Sequence, residues 1–122
     1  MKRMLMTKML FAMCLMALCP ISVNAATGKF FTNVKRVVSD NDKFGGCMAL
    51  LTVAPSSVGL ECNGKFVSFS CTGDFASKDE AKRNFELTQI AMLVKSRVQI
   101  VVDDTKKHNG YCFANRIDLE TQ

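Results

Sequence analysis

Among its 122 residues the sequence has one histidine, one tyrosine, two prolines, no tryptophan and no Cys-x-x-Cys pair. With His108 as the sole imidazole and no cysteines at ligand spacing, the pattern argues against a zinc site. A cysteine nucleophile would have no second histidine to serve as its base. Acidic residues are missing before Asp40, while Lys2, Arg3 and Lys8 supply three of the 16 Lys and Arg. Set those three aside and 13 basic residues face 11 acidic ones, a balance of +2 instead of the formal +5. That excludes a strongly basic nucleic-acid-binding domain. Gly45-Gly46 lacks the lysine and following helix of a phosphate loop. Internal repeats, linkers and low-complexity stretches are also absent.

The basic start leads into an apolar run from Met9 to Leu18, then Pro20, then Val23-Asn24-Ala25. Small residues at the −3 and −1 positions mark a signal-peptidase cut after Ala25. A membrane anchor needs about 20 unbroken apolar residues, and Lys8 and Pro20 bracket too few. Met13 and Leu18, standing before Cys14 and Cys19, do not suit a lipoprotein cut. The expectation is a cleaved signal peptide over 1–25, no membrane anchor, and one exported domain over 26–122, periplasmic or secreted. About 97 residues suffice for one small core and not for two.

Cleavage leaves Cys47, Cys62, Cys71 and Cys112. Four cysteines in a small exported domain read as two disulfides, with three connectivities open. Phe30–Val38 (FFTNVKRVV) reads as a first strand and Cys47–Val53 (CMALLTV) as a second. Phe66–Cys71 (FVSFSC) reads as a third, although Phe66 and Phe69 fall out of step. Ser77 stands three residues before Glu80, a capping box, and Asp79 and Glu80 suit the positive end of a helix dipole. Ala81, Phe85, Leu87, Ile90, Ala91, Met92 and Val94 give a stripe that predicts a core-facing helix to residue 94 or 95. Val98–Val102 predicts a fourth strand, Asp103–Gly110 a polar hairpin closing on Asn-Gly, and Tyr111–Leu119 a fifth strand.

The order β-β-β-α-β-β in this length predicts a mainly β domain with one helix, a five-stranded OB-fold-like Greek-key barrel. An open antiparallel sheet with a helix packed across it is the alternative. In the barrel, Cys47 lies opposite Cys71 on neighbouring strands. Cys62 lies near Cys112, because the third and fifth strands run side by side. Cys47–Cys71 with Cys62–Cys112 is the pairing this predicts, subject to Cα atoms lying within about 7 Å.

The stretch Asn84–Leu119 resembles the second half of the Shiga toxin B subunit. A helix runs into a β-branched strand, a His108-Asn109-Gly110 turn and a closing strand with Phe and Ile at similar offsets. In placement and length, Ser77–Lys95 also resembles the helix of the cholera toxin B subunit. The resemblance covers about a third of the chain. It implies a bacterial exported OB-fold that carries disulfides, assembles as a five-membered ring and binds cell-surface glycans. The chain departs from that pattern in lacking tryptophan and in placing its last cysteine after the turn, so no sugar-contacting residue is carried over.

Asp103, Asp104, Lys106, Lys107 and His108 form the densest polar patch, but a hairpin tip is hard to preorganise for acid–base or metal chemistry. It reads as a solvated turn, and the chain as a non-enzyme with no cofactor and no metal. Most phenylalanines fall in strand patterns or on the helix stripe, so they read as core and not as a base-stacking platform. Glycan binding needs polar side chains and one aromatic face, and Lys107, His108, Asn109 and Tyr111 are the candidates. The partner is then a cell-surface glycan, with self-association into a ring. The other reading is a monomeric periplasmic module that inhibits or stabilises a protein partner.

Overall fold

The computed structural model describes residues 27–121, so the leader and its cleavage site lie outside the described residues. Within them no helix is long and apolar enough to cross a membrane. Strands β1 (Thr27–Thr32), β2 (Val34–Ser39), β3 (Cys47–Leu51) and β4 (Phe66–Ser68) precede α1 (Lys78–Leu93). Strands β5 (Val98–His108) and β6 (Tyr111–Leu119) follow it. A 3-10 turn, Pro55–Val58, sits between β3 and β4.

These strands form one six-stranded sheet in the order β1-β5-β6-β4-β3-β2. Neighbours are antiparallel except β4 and β6, which are parallel. The domain is therefore mainly β with one helix, but the sheet is open and six-stranded, not a closed five-stranded barrel. The difference lies at Asn33, where the expected first strand divides. There the Thr52 hydroxyl accepts from Asn33 N–H (3.0 Å) and Thr52 N–H donates to Asn33 O (2.9 Å). The hydroxyl of buried Thr32 accepts from Val53 N–H at 3.1 Å. With its polar groups captured by residues 52 and 53, the chain changes partner, from β5 on one side of Asn33 to β3 on the other. The two edge strands are thus consecutive segments of chain, and the sheet bends until its ends meet at that residue.

Other boundaries shift for local reasons. The third strand stops at Ser68 because Ser70 turns the chain out of the ladder at φ +61°, a left-handed conformation costly for a residue with a Cβ. The predicted polar hairpin over Asp103–Gly110 is instead mostly strand. Lys107 and His108 pair with Cys112 and Tyr111, and Asn109-Gly110 alone make the turn, both at positive φ. That is the two-residue turn Asn-Gly favours.

Ser77 caps α1, its hydroxyl accepting from Glu80 N–H at 3.2 Å. The buried face of the helix carries Ala81, Thr88 and Ala91, with Phe85, Leu87 and Met92 packed at the core's margin. Ile90 and Val94, expected in the core, are 46% and 63% exposed: Ile90 shares the outward face of α1 with Arg83, Glu86 and Leu93 while Ala91 beside it is buried, and Val94 is the helix C-cap. The core itself lies on the inner face of the sheet. Val37, Ala49 and Val67 are aligned across β2, β3 and β4, and Val98, Ile100, Val102, Ala114 and Ile117 line the facing wall.

Two disulfides close the structure. Cys47–Cys71 spans Cα atoms 5.6 Å apart and Cys62–Cys112 spans 5.5 Å. These are the pairs that strand adjacency puts within reach.

Candidate functional site

Side chains alternate across a strand, so the residues between the core positions point the other way. Arg36, Leu50 and Phe66 form one row across β2, β3 and β4, and Val38, Met48, Ser68 and Phe113 form the next, reaching β6. Two residues before the Ser68–Phe113 pair on these parallel strands stand Phe66 and Tyr111. Their ring centroids are 5.9 Å apart, with planes crossed at 77°. Phe44, from the loop before β3, meets Tyr111 from the other side at 5.6 Å and 76°. Edge-to-face contacts of this kind suit the ring quadrupoles. All three rings are half-buried.

Two exposed cations flank this row. The Arg36 guanidinium lies over the Phe66 ring at 5.1 Å and the Lys43 ammonium over Phe44 at 5.3 Å. Among the described residues, ion pairs involve Arg97, His108 and Arg116, and neither Arg36 nor Lys43.

On the β5 side of Tyr111 the same face is closed by the loop between β4 and α1. His108 Nε2 and the Ser70 hydroxyl are 3.2 Å apart, and His108 Nδ1 lies 3.8 Å from Asp74 Oδ2. Phe75 stacks against His108 at 4.7 Å and against Phe113 at 5.7 Å. Hydroxyl, imidazole and carboxylate thus stand in the order used by serine hydrolases. Ser70, however, is wholly buried, and its oxygen already accepts from Phe75 N–H at 3.0 Å. A scissile carbonyl has no approach to it. The constellation acts as a latch that holds the loop over Met48 and Phe113, both 3% exposed. Gly45 belongs to the same closure: at φ +82°, any Cβ there would collide with Ser68 and His108.

Of the four residues expected to bind, His108 and Tyr111 face each other in the ladder and share this face. Lys107, opposite Cys112, belongs to the other face, and Asn109 is exposed in the turn. The hairpin therefore does not gather all four. Sequence reasoning missed Arg36, Lys43, Phe44 and Phe66. The one signal was Phe66 falling out of step with Phe69, since one faces out and the other into the core. Among the described residues, no group of three or more His, Cys, Asp or Glu side chains could hold a metal ion.

No protein-family model, no curated protein and no solved structure matches the chain.

Proposed function

We propose that this protein is an exported, disulfide-stapled binding module of the OB-fold type that holds a glycan on the face built around Tyr111. The observation that carries this reading is the row Phe44–Tyr111–Phe66 with cations at its flanks, a surface that combines aromatic area with polar hydrogen-bonding groups. Two disulfides accord with an oxidising compartment. The strand order, with α1 between β4 and β5, accords with an OB-type Greek-key topology, although the six-stranded sheet is open.

Tyr111→Ala is expected to weaken glycan binding by about tenfold or more, the scale of one lost aromatic contact with its hydrogen bond. A glycan array followed by calorimetry on the hit measures this, with circular dichroism confirming the fold. Undiminished binding by the folded variant would move the site elsewhere.

Ring assembly belongs to the same proposal. The exposed apolar group at the end of α1, Ile90, Leu93 and Val94, gives self-association a surface that a monomer leaves wet. Light scattering on the oxidised protein tests it. A mass near five chains supports the toxin-like ring. A single-chain mass removes the ring and leaves the module reading, with a protein partner as the next candidate.

A further inference from the structure

We infer that the ligand of the Tyr111 face is an acidic saccharide, whose carboxylate or sulfate is held by Arg36 and Lys43. This rests on the reading of that face as the glycan site and adds what chemistry the glycan carries. Phe66 and Phe44 each have a cation over the ring. An uncharged sugar laid on either of those faces would displace the cation into water and forfeit its contact with the ring. A sugar bearing an anion keeps the cation engaged while its apolar side meets the ring edges. Neither cation is neutralised by an ion pair within the described residues. A guanidinium and an ammonium held beside half-buried rings therefore present two strong donors with no acid of their own.

Nearby acids do not fill that role. Asp40 turns back into its own loop, where Oδ2 accepts from Phe44 N–H at 3.1 Å. Asp42 is exposed in that loop and makes no ion pair, and Asp74 is engaged elsewhere, 3.8 Å from His108 Nδ1 and accepting from the Thr72 hydroxyl at 2.7 Å. Lys106, over Phe113 at 5.9 Å, adds a further cation-bearing ring on the same face. Stacked nucleobases fit less well. The three rings stand edge to face and two carry cations, so no parallel series of open ring faces is offered.

The protein carries its own probe, because Tyr111 is the sole tyrosine and there is no tryptophan. Tyrosine fluorescence therefore reports on the site alone. The oxidised protein is titrated with hyaluronan oligosaccharides (carboxylate only), heparin oligosaccharides (sulfate and carboxylate), maltoheptaose (neutral) and oligothymidylate. The same titrations are run on Arg36→Gln, Lys43→Gln and, as an equal charge change on the exposed side of α1, Lys82→Gln. The expected result is saturable binding of at least one acidic saccharide that weakens as salt is raised. Arg36→Gln and Lys43→Gln should each weaken it about tenfold, and Lys82→Gln should leave it unchanged.

Binding of maltoheptaose as tight as that of the acidic sugars would overturn the acidic assignment and leave the glycan reading standing. Equal losses in all three variants, or equal binding of oligothymidylate, would also overturn it, since charge alone would then suffice. Silence of Tyr111 toward every saccharide, with no heat in calorimetry, would defeat both readings together.

Discussion

Replacing Cys62 and Cys112 together by serine is expected to lower the stability of the domain by about 4 kcal/mol, the chain-entropy value for a bridge that closes a loop of this length. The two residues are 50 apart in sequence and the bridge ties the approach to β4 onto β6. It also fixes the parallel neighbours whose side chains make the Tyr111 face. Cys47–Cys71 closes only 24 residues, and its removal is expected to cost about 3.5 kcal/mol by the same relation. A domain of this size commonly has a total stability of about 5–15 kcal/mol. Either loss thus takes a large share, and losing both leaves little. Urea unfolding of the oxidised protein, of each double variant and of the reduced wild type measures the series. The informative feature is the order. If removing the shorter bridge proves the more damaging, loop closure does not set the order, since each bridge has one cysteine fully buried in the core, Cys47 and Cys112.

Much of this fold is written in local pattern. Ser77 and Glu80 mark the start of α1 because capping involves groups three residues apart. Asn109-Gly110 marks the last turn for a similar reason: two residues at positive φ satisfy the hairpin. The disulfide pairs follow from which strands are neighbours. What stayed hidden depends on distant partners. The break at Asn33 is made by Thr52 and Val53, about twenty residues on, and no nearby residue announces it. Asp103–His108 look like a loop because they are polar, yet Asp103, Lys107 and His108 pair with the returning β6, the register slipping over the three residues between them.

The site divides along the same line. Tyr111 stood out as the only tyrosine beside a polar turn, whereas its companions Phe44 and Phe66 come from other parts of the chain. Their meeting depends on β4 and β6 running parallel, which composition does not reveal. The latch of Ser70 on His108 spans 38 residues and was equally invisible. The exposed end of α1 has another origin. Helical periodicity in a segment with apolar residues on more than one side does not say which stripe faces the sheet: Ala81, Thr88 and Ala91 do, and Ile90 lies on the outward side with Arg83 and Glu86.

Phe69 and Phe66 offer the sharpest test of the two-faced sheet, because they lie three residues apart and do opposite work. Phe69 has no exposed surface, its ring lies 6.2 Å from Phe85 of α1, and its N–H donates to Cys47 O at 3.1 Å. Phe69→Ala leaves a cavity between sheet and helix that neither element can collapse into, since Cys71 ties the next turn to β3. The expected loss is about 3–5 kcal/mol. Phe66 is half-buried on the outer face, against Tyr111 and beneath Arg36. Its truncation leaves an open notch that water fills, and the expected loss is only about 1 kcal/mol. Urea unfolding of the two variants should therefore separate them by several-fold in free energy, although both delete the same atoms from the same short segment. Function should divide the other way. Phe66→Ala removes the support of Arg36 and one wall of the ledge, so it should weaken saccharide binding. A Phe69→Leu variant, which keeps most of the core volume, should bind as wild type does. If the stability costs came out equal, or Phe69→Leu lost binding while Phe66→Ala kept it, the assignment of an inner core and an outer recognition face would be wrong.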